Sequence, residues 1–592
     1  MDDLNTIVEP INTLQKITFG EKFAEYQVLR CNHPGFLPLI IQIEALITGG
    51  CQMWFKMYLH QEILVGHLRD FLRKMLQNRF ANIAQYKDNI ALSMYLQMKY
   101  IKRRQKKMVG YILQLHMITK NDIIHTNNYM NQDIYIKKQW FIKSREGKVE
   151  DYYILDNKEL SSGSFGKVYQ AKPKLLKNDP MRAVKVIPKR LIENKDRFLQ
   201  EVEILRNLDH PNIIKLYETF EDVRNIYLVM ELCTGGELFD QIVTHGQLSE
   251  KDAQQVFIQI MRAISYCHSK GIAHRDLKPE NFIYYDDKPG SLLKVIDFGL
   301  SRVFRQSGQQ EKQMMKSRTG SVYYISPEVL DGQYDELCDI WSAGVILYIL
   351  LTGIPPFNGN SDGEIVKQIK AGKLNLNLSE LQVVSESAKD LIQKMICKHS
   401  QRLNSQQVLQ HEWLQNLNQN DSKLSLNFDS LKQFTQQSKL KKIVLAQIAS
   451  QVSLNEIGEL SKLFQTLDKD GNGQLSFEEF KNGFKEKKND LLQYFEAIDT
   501  DSSGSIDYNE FIAAMMERTF YLKQDKLLQA FQTFDLDNDG KITALELKKV
   551  LGDNDYYNKI DSKFWESLVK DGDFDEDGKI DYLEFVEMMS DL

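Results

Sequence analysis

A twelve-residue pattern occurs four times in the last quarter of the chain. The four segments begin at Asp468, Asp499, Asp535 and Asp573 and read DKDGNGQLSFEE, DTDSSGSIDYNE, DLDNDGKITALE and DFDEDGKIDYLE. Each has oxygen-bearing side chains at positions 1, 3, 5 and 9, glycine at position 6 and glutamate at position 12, a set that suits a hard cation with about seven oxygen ligands. Four such segments, separated by 31, 36 and 38 residues, exclude a chance acidic turn. The pattern therefore predicts four helix–loop–helix calcium sites.

The loops supply both the ligands and the contacts that would join them. The predicted calcium ligands are residues 1, 3, 5, 7 and 12 of each loop, namely Asp468, Asp470, Asn472, Gln474, Glu479, Asp499, Asp501, Ser503, Ser505, Glu510, Asp535, Asp537, Asp539, Lys541, Glu546, Asp573, Asp575, Asp577, Lys579 and Glu584. The apolar eighth residues are expected to pair the loops two by two in short strands; they are Leu475, Ile506, Ile542 and Ile580. Phenylalanines on the flanking helices are expected to form the cores of the lobes, part of which calcium would expose as a groove.

A second set of motifs lies in the middle of the chain. ELSSGSFGKVY at 159–169 is typical of a glycine loop whose backbone amides approach phosphates, although alone it would equally suit a surface hairpin. It is followed in order by RAVKV around Lys185, HRDLKPEN at 274–281, KVIDFGL at 294–300 and YYISPEVL at 323–330. Chance does not account for that order and spacing, and residues 153–413 resemble a eukaryotic protein kinase catalytic domain.

The kinase resemblance implies a bilobal fold that transfers the γ-phosphate of ATP to a serine or threonine hydroxyl, with Mg²⁺ as the metal. It implies that Asp276 orients the hydroxyl and accepts its proton, that Lys278 neutralises the γ-phosphate, and that Asn281 and Asp297 hold magnesium. The implied nucleotide-binding residues are Leu160, Ser161, Gly163, Ser164, Phe165, Gly166, Val168, Lys185, Glu201, Glu231, Cys233, Glu237 and Asp297.

Some of these residues have specific roles by the same resemblance. Lys185 would bind the α- and β-phosphates and be held by Glu201, and Glu231 would begin the hinge that contacts adenine. Two structural ties are also implied, one between Glu328 and Arg402 and one from Asp339 to the catalytic loop. The glycine loop starts with Ser161 where glycine is usual, so we expect a stiffer but working loop.

Three residues decide between an active kinase and an inactive kinase fold that serves as a scaffold. Lys185, Asp276 and Asp297 are all present, which favours the active enzyme. Glu237 and Glu280 resemble the acidic positions that read arginine upstream of the target hydroxyl, which predicts Ser/Thr substrates in basic contexts; the alternative is that Glu237 contacts only the ATP ribose. Ser317 and Thr319 are candidate phosphorylation sites in the activation segment.

KLKKIVLAQIASQV at 439–452 places Leu440, Ile443, Val444 and Ile448 at helical spacing. Lysines crowd its start, where positive charge opposes the helix dipole. Such a helix can be a core helix, a membrane-surface helix or the ligand of a groove-forming partner. Residues 150–592 resemble the calcium-dependent protein kinases, in which a junction joins the kinase to a calmodulin-like domain. The resemblance implies that this helix inhibits the kinase until calcium-loaded EF-hands capture it; a purely structural connector is the alternative.

The N-terminal segment carries a weaker pattern. Residues 20–41 are expected to form a helix, a proline turn and a strand ending near Ile41, residues 55–76 a strand, a turn and a helix, and residues 110–118 a strand. This order resembles the ubiquitin-like autophagy modifiers, but no glycine for conjugation follows the last strand. We therefore predict a docking domain for a protein partner or a membrane surface. KRRQKK at 102–107 is either a solvated loop or a basic patch for that contact.

The predicted plan is multidomain α+β. It comprises a ubiquitin-like α+β domain at 1–125, a linker at 126–152, a bilobal kinase at 153–413, an autoinhibitory junction at 414–453, and an all-α domain of four EF-hands at 454–592. The charge is about +8 over residues 1–150 and about −16 over residues 453–592, so the acidic domain suits a basic helix. No nucleic-acid partner is expected.

Composition and cysteine usage indicate the compartment. The chain is 42% hydrophobic and 26% charged, as ordinary soluble proteins are. Its six cysteines show no paired spacing and the N-terminus shows no signal peptide, so we expect reduced thiols and a cytoplasmic protein, with peripheral membrane association as an option. The apolar run at 344–357 is interrupted by glycine and proline and is expected to be a buried helix, not a transmembrane segment.

Overall fold

The computed structural model describes the backbone of five strands between residues 8 and 59 and most of the chain from residue 141 to residue 591. Within the second part, the residues that are not described are 164–165, 175–179, 193, 299–300, 304–321, 333, 416–425, 427, 485–490 and 552–560. The chain divides into two compact units, Met1–Ile118 and Thr119–Leu592.

The described part of the first unit is an antiparallel sheet. Its strands are Val8–Pro10, Gln15–Phe19, Lys22–Cys31, Leu39–Ile47 and Cys51–Leu59. The third strand pairs with the first, the second and the fourth, and the fourth pairs with the fifth. The sheet includes the strands predicted near Ile41 and after residue 55, but the former extends to Ile47.

The helix predicted at the start of residues 20–41 is wrong, because Lys22–Cys31 is a strand. Within it Ala24, Tyr26 and Val28 alternate with polar residues, a period of two that suits a strand better than a helix. The other elements of the ubiquitin-like pattern, including the helix before residue 76, the strand at 110–118 and the basic segment at 102–107, lie outside the described residues.

The small lobe of the kinase is built on a sheet to which six described strands contribute. Their order across the sheet is Lys143–Glu146, Leu216–Glu221, Asn225–Glu231, Arg182–Pro188, Gly166–Pro173 and Tyr153–Gly163. Neighbours are antiparallel except for the first two, which are parallel. The helix Lys195–Asn207 follows the Arg182–Pro188 strand.

The strand Lys143–Glu146 lies within residues 126–152, where we expected a linker. Its side chains alternate between half-buried and exposed, so KSRE carries no apolar signal that would reveal a strand. It is nevertheless an edge strand of the kinase sheet, paired with residues Glu218–Glu221. The kinase part of the chain therefore begins before residue 153.

The large lobe of the kinase is helical. Its described helices are Leu238–His245, Glu250–Ser269, Pro327–Asp331, Leu337–Thr352, Asp362–Ala371, Glu386–Met395, Ser405–Leu409 and Glu412–Gln415. Two short ribbons carry the catalytic segments: Ile272–Ala273 pairs with Arg302–Val303, and Phe282–Tyr284 pairs with Leu293–Val295. Leu337–Thr352 is buried from Cys338 onward, which confirms the prediction of a buried helix.

The C-terminal part is all-helical apart from the short loop strands. Its described helices are Leu454–Leu467, Phe477–Asn482, Leu491–Ile498, Tyr508–Met515, Arg518–Tyr521, Gln524–Phe534, Ala544–Leu551, Ser562–Lys570 and Tyr582–Ser590. Leu475 pairs with Ile506 and Ile542 with Ile580, which confirms the predicted pairing of the loops. The predicted core phenylalanines are buried; they are Phe464, Phe480, Phe495, Phe511, Phe531, Phe534 and Phe585.

Two helices connect the kinase to this EF-hand domain, Phe428–Thr435 and Lys439–Gln451. The second confirms the helix predicted at 439–452 and is called the junction helix below. Ser438 caps its N-terminus by accepting a hydrogen bond from the backbone N–H of Lys441 at 3.3 Å. The helix ends before Val452, whose backbone is extended.

Candidate active site and calcium loops

The glycine loop joins the strands Tyr153–Gly163 and Gly166–Pro173, and its predicted residues Ser164 and Phe165 lie outside the described residues. Gly166 has a φ of 145°, and a Cβ there would lie 2.1 Å from the carbonyl oxygen of Val186. No other residue fits this position, because the backbone of the neighbouring strand is too close.

The strand beside the loop positions the predicted phosphate-binding lysine. Lys185 pairs in register with Val168, which is half-buried, while Leu160 and Ser161 are exposed on the loop's first strand. These residues therefore lie on neighbouring strands of one sheet, as the sequence predicted.

The predicted phosphate-binding lysine lies beside a predicted magnesium ligand. Lys185 Nζ is 3.9 Å from Asp297 Oδ1. Glu201 is half-buried on the helix Lys195–Asn207. Its contact with Lys185 stays a prediction.

The catalytic loop brings its three predicted residues together. Lys278 Nζ donates a hydrogen bond to Asp276 Oδ2 at 2.9 Å. Asn281 Nδ2 donates to the backbone carbonyl of Asp276 at 2.7 Å. Asn281 Nδ2 also donates to Asp276 Oδ2 at 3.4 Å, so the Asp276 side chain is held between an ammonium and an amide, while the amide oxygen of Asn281 is the atom left for another ligand.

Asp339 ties the catalytic loop to the buried helix Leu337–Thr352. Its Oδ2 accepts from the backbone N–H of His274 and its Oδ1 from that of Arg275, both at 2.8 Å, and His268 Nε2 lies 2.9 Å from Oδ2. Burial alone would raise the pKa of Asp339, but the hydrogen bond and the charge of His268 outweigh it, so the pKa is lowered. The carboxylate fixes Arg275 in a strained backbone conformation with φ of 73°, one residue before Asp276.

The predicted tie between Glu328 and Arg402 is formed. The guanidinium is bidentate, with Nη1 bonded to Glu328 Oε1 and Nη2 donating to Oε2 at 3.2 Å. Arg402 also donates to the carbonyls of Leu337 and Cys397, each at 2.9 Å. Burial opposes ionisation of Glu328, but the hydrogen bond from Arg402 prevails and lowers its pKa. This buried pair therefore joins three segments of the large lobe.

The hinge follows the strand Asn225–Glu231. Glu231 Oε2 pairs with Lys294 Nζ at 2.8 Å, and both side chains are 5% exposed, so the carboxylate is engaged by Lys294 and the backbone of Glu231 is the part available to a nucleotide. Burial raises the pKa of Cys233, which keeps its thiol neutral. Farther along, burial and the nearby charges of Asp240 and Glu280 raise the pKa of Glu237. Glu237, Asp240 and Glu280 together form a cluster of carboxylates, which we call the acidic group.

All four calcium loops share one hydrogen-bond pattern. In the third, Glu546 Oε1 accepts from the backbone N–H of Leu536 and Oε2 from that of Thr543, both at 2.9 Å. Asp535 Oδ2 accepts from the N–H of Gly540 at 3.1 Å. The other loops repeat these contacts with their first aspartate and last glutamate. Three carboxylates per loop offer oxygens within 4.8 Å of one another, a donor set that fits Ca²⁺.

The lysines at position 7 behave differently from the other predicted ligands. Lys541 of the third loop bonds Asp577 of the fourth, and Lys579 of the fourth lies 3.6 Å from Asp539 of the third. Their amines therefore neutralise carboxylates of the paired loop, and only their backbone carbonyls are suited to coordinate calcium.

The first loop lies against the kinase. A Cβ on Gly471 would come within 2.8 Å of Leu409, and one on Gly473 within 2.5 Å of the Tyr266 ring on the helix Glu250–Ser269. Asp468 is 2% exposed, and burial raises its pKa to about 7. Glycine is needed at both positions for the loop to approach the large lobe this closely.

The junction helix is buried on nearly its whole circumference. Its residues Leu440, Ile443, Val444, Leu445, Ala446, Ile448 and Ala449 are each at most 3% exposed and belong to the core of the EF-hand domain. Asn509 Nδ2 donates to the carbonyl of Ala446 at 3.1 Å, and Gln447 Nε2 donates to Thr533 Oγ1 at 2.9 Å. The EF-hands thus enclose the helix, and we call this the captured arrangement.

Both ends of the junction helix meet complementary charges. Lys441 and Lys442, at its start, donate to the carbonyls of Asp591 and Ala497, which end two EF-hand helices. At its other end, Lys215 Nζ of the kinase donates to the carbonyl of Ala449 at 3.0 Å, and Arg182 Nη2 to that of Gln451 at 3.3 Å. Each cation thus meets the negative end of a helix dipole.

Sequence reasoning missed the contacts between domains. Arg182 lies in RAVKV, Asn509 in the second calcium loop and Lys215 in no motif, and neither motif marks a partner of the junction helix. Position 9 of the calcium loops did carry a signal: in the first loop, Ser476 and Glu479 form a capping box, which an S-x-x-E pattern predicts.

The family comparisons agree with this arrangement of domains. The protein kinase domain family matches residues 154–414, and the EF-hand domain pair family matches residues 459–516 and 524–590. In the part of the chain that the structure describes, no helix combines the length and the apolar character needed to cross a membrane.

Curated relatives share most of the chain. "Calcium-dependent protein kinase 3" of Plasmodium berghei is 40% identical over 463 residues, 76% of this chain and 82% of the relative. "Calcium-dependent protein kinase 5" of Plasmodium falciparum is 40% identical over 478 residues, 78% and 83%. "Calcium-dependent protein kinase 12" of Arabidopsis thaliana is 40% identical over 470 residues, 76% and 92%. With the kinase residues and four calcium loops in place, the chain belongs to the calcium-dependent protein kinases, calcium-activated serine/threonine kinases that use ATP, Mg²⁺ and Ca²⁺.

Proposed function

We propose that the junction helix is the switch of this kinase. Without calcium, residues 431–452 lie against the kinase and hinder substrate access or the arrangement of Lys185 and Glu201. With calcium, the EF-hand lobes open and take the helix into their grooves, as in the captured arrangement. The observation that carries this proposal is the burial of the junction helix within the EF-hand core.

Thermodynamics limits what calcium can do here. Calcium shifts the balance only by its difference in affinity for the released and captured arrangements. About 5.5 kcal/mol suffices to move the active fraction from about 1% to about 99%. Four loops that bind cooperatively can supply that difference. The acidic field of the EF-hand domain assists by attracting Lys439, Lys441 and Lys442.

The catalytic residues have the following proposed roles. Asp276 holds the substrate hydroxyl and takes its proton, while Lys278 and Lys185 bind the phosphates. Asn281 and Asp297 fit Mg²⁺, since both offer hard oxygen donors and the hydrogen bonds of Asn281 use its nitrogen, not its oxygen. Bound Mg²⁺ supplies neutralisation of charge on the phosphates.

The acidic group favours substrates with basic residues near the target hydroxyl. The charges of Asp240 and Glu280 raise the pKa of Glu237 together with its burial, so a substrate guanidinium would relieve their mutual repulsion. Glu237→Gln should lower kcat/KM for an arginine-containing peptide by about tenfold and change that of a matched glutamine peptide little. Equal losses on both peptides would instead support contact of Glu237 with the ATP ribose.

We also propose that the N-terminal unit is a docking domain, with a ubiquitin-like fold, that binds a protein partner or a membrane surface for a kinase working in the cytoplasm. Its support is the net positive charge of residues 1–150 and two strands of the predicted pattern, Leu39–Ile47 and Cys51–Leu59, although the helix expected before them is a strand. Binding of the isolated unit to neutral and anionic vesicles tests the membrane option; binding to neither leaves a protein partner as the occupant.

The switch itself is tested by ending the chain near Asn420. This shortened kinase lacks the junction helix and the EF-hands, so it should phosphorylate a basic peptide without calcium. The full chain in the same assay should depend on calcium. A shortened kinase that is folded, as its melting transition would show, and yet silent would contradict inhibition by the helix.

A further inference from the structure

Two consecutive residues before the kinase domain lie in two different cores. Phe141 is 1% exposed and packs within the core of the EF-hand domain, edge-on to Phe534 with ring centroids 6.5 Å apart. Ile142 is 4% exposed and belongs to the core of the kinase. The backbone between them therefore bridges the two domains. We call residues 141–146 the bracket.

The polar contacts of the bracket are likewise divided between the kinase and the EF-hand domain. On the kinase side, Ser144 Oγ lies 3.1 Å from Thr219 Oγ1, and Arg145 Nε pairs with Glu218 Oε2 at 2.9 Å. On the EF-hand side, Lys143 Nζ donates to the carbonyl of Gln532 at 2.9 Å. Strand pairing fixes the bracket to the kinase sheet, so its attachment to the EF-hands is the side that can release.

The EF-hand contact falls at a position that calcium controls. Gln532 and Phe534 end the helix Gln524–Phe534, and Asp535, the first residue of the third calcium loop, follows directly. Thr533, between them, binds Gln447 of the junction helix at 2.9 Å. One turn of one EF-hand helix thus holds the bracket and the junction helix together. Because calcium reorients the helices of sensor EF-hands, both contacts must respond to it.

The packing between bracket and EF-hands is looser than a closed core. A cavity of about 100 Å³ lies between the kinase sheet and the EF-hand helix, lined in part by Lys143, Tyr217, Gln451 and Gln532. Contacts around such a cavity separate at less cost than close-packed ones. This supports an attachment that forms and breaks with calcium.

We infer that the bracket is a second intramolecular ligand of the EF-hand domain, beside the junction helix, and that its binding to the third EF-hand lowers the calcium concentration needed for activation. The inference rests on the proposed switch. Binding energy from Phe141 adds to the captured arrangement only, because a released EF-hand domain leaves the bracket on the kinase sheet.

The test compares Phe141→Ala with Phe141→Leu in the full chain. Phe141→Ala should raise the calcium concentration for half-maximal peptide phosphorylation by about three- to tenfold, with an unchanged maximal rate at saturating calcium. Phe141→Leu keeps an apolar side chain and should stay within about twofold of the unchanged protein. An unshifted midpoint for Phe141→Ala, or a lowered maximal rate, would overturn the inference.

Amide hydrogen exchange gives a readout independent of activity. In the unchanged full chain, the amides of Phe141 and Ile142, which precede the strand paired with the kinase sheet, and those of 529–534 should become more protected together when calcium is added. Equal protection of these amides with and without calcium would overturn the inference even if calcium activates the kinase. Loss of calcium activation with intact, calcium-dependent protection would instead reject the proposed switch and leave the bracket as an EF-hand ligand.

Discussion

Lys441 Nζ donates a hydrogen bond to the backbone carbonyl of Asp591 at 2.5 Å, which joins the first turn of the junction helix to the end of the last EF-hand helix. This contact explains why lysines crowd the start of a helix whose own dipole they oppose. Lys441 and Lys442 donate to the carbonyl ends of other helices, which offsets part of the cost of burying their amines. The helix therefore carries the signature of a ligand and not of an independent surface helix.

Lys441 predicts a pH dependence of capture. Burial and the nearby charge of Arg518 lower its pKa from 10.5 to about 8, against the opposing carboxylate of Asp591. In the released arrangement, Lys441 keeps its proton to higher pH. Between about pH 8 and pH 10 the captured arrangement therefore binds fewer protons than the released one, and rising pH favours capture. The calcium concentration for half-maximal activation should therefore decrease as the pH is raised from about 7.5 to about 9.

Lys441→Met is the matched variant for that measurement. Its calcium midpoint should depend less on pH than that of the unchanged protein; the residual slope would come from Lys442 and Lys143, whose pKa values burial also lowers. Identical slopes in the two proteins would show that Lys441 does not titrate on capture.

The paired lysines of the third and fourth loops should weaken calcium binding. Lys541 and Lys579 each place a positive charge on an aspartate of the partner loop, and calcium must displace that contact. Lys541→Met combined with Lys579→Met should tighten calcium binding to this lobe by about two- to tenfold, since calcium no longer competes with the two exposed ion pairs, each of which contributes little. Calorimetric titration measures this, with Lys548→Met combined with Lys549→Met as a control that removes the same two charges. An equal gain in the control would assign the effect to net charge alone.

Asp276→Asn should abolish phosphoryl transfer while ATP binding stays largely intact. The residue acts on the substrate hydroxyl, and its loss should cost about 10²–10⁴-fold in turnover at saturating ATP. Nucleotide affinity measured on the same sample is the control. Turnover near that of the unchanged protein would remove Asp276 from its proposed role.

Two N-terminal deletions separate the docking domain from the bracket. Removing residues 1–118 should leave peptide kinase activity and its calcium midpoint within a few-fold of the full chain, because the bracket remains. Removing residues 1–141, which takes away Phe141 but leaves Ile142 and the kinase strand Lys143–Glu146, should raise the midpoint as Phe141→Ala does. A large effect of the shorter deletion on peptide phosphorylation would imply that the N-terminal unit acts on the kinase directly.

The sequence could predict those parts whose chemistry is local. In the calcium loops, spacing alone places the predicted ligands, while the roles of HRDLKPEN and of Asp339 are implied by the resemblance to protein kinases. The helical spacing of the apolar residues in KLKKIVLAQIASQV likewise predicts a helix with an apolar face. The loops and this helix are confirmed in the structure because their neighbours in sequence are their neighbours in space.

The contacts between distant segments could not be predicted in this way. Lys215 and Arg182 meet the junction helix from a sheet more than 200 residues away, and no residue pattern marks such a pairing. The edge strand at 143–146 could not be predicted from its sequence, KSRE, because neither of its faces is apolar. The helix expected after residue 20 is wrong for a different reason, since Ala24, Tyr26 and Val28 alternate with polar residues at the period of a strand.

The measurement that tests the account most directly is a calcium titration of peptide phosphorylation by the full chain and by a variant with glutamine at position 12 of every loop. The substitutions are Glu479→Gln, Glu510→Gln, Glu546→Gln and Glu584→Gln, which remove the ligand that gives both oxygens to calcium. We predict strong activation of the unchanged chain and low activity of the variant at every calcium concentration. A variant that calcium still activates would contradict the capture of the junction helix by calcium-loaded EF-hands.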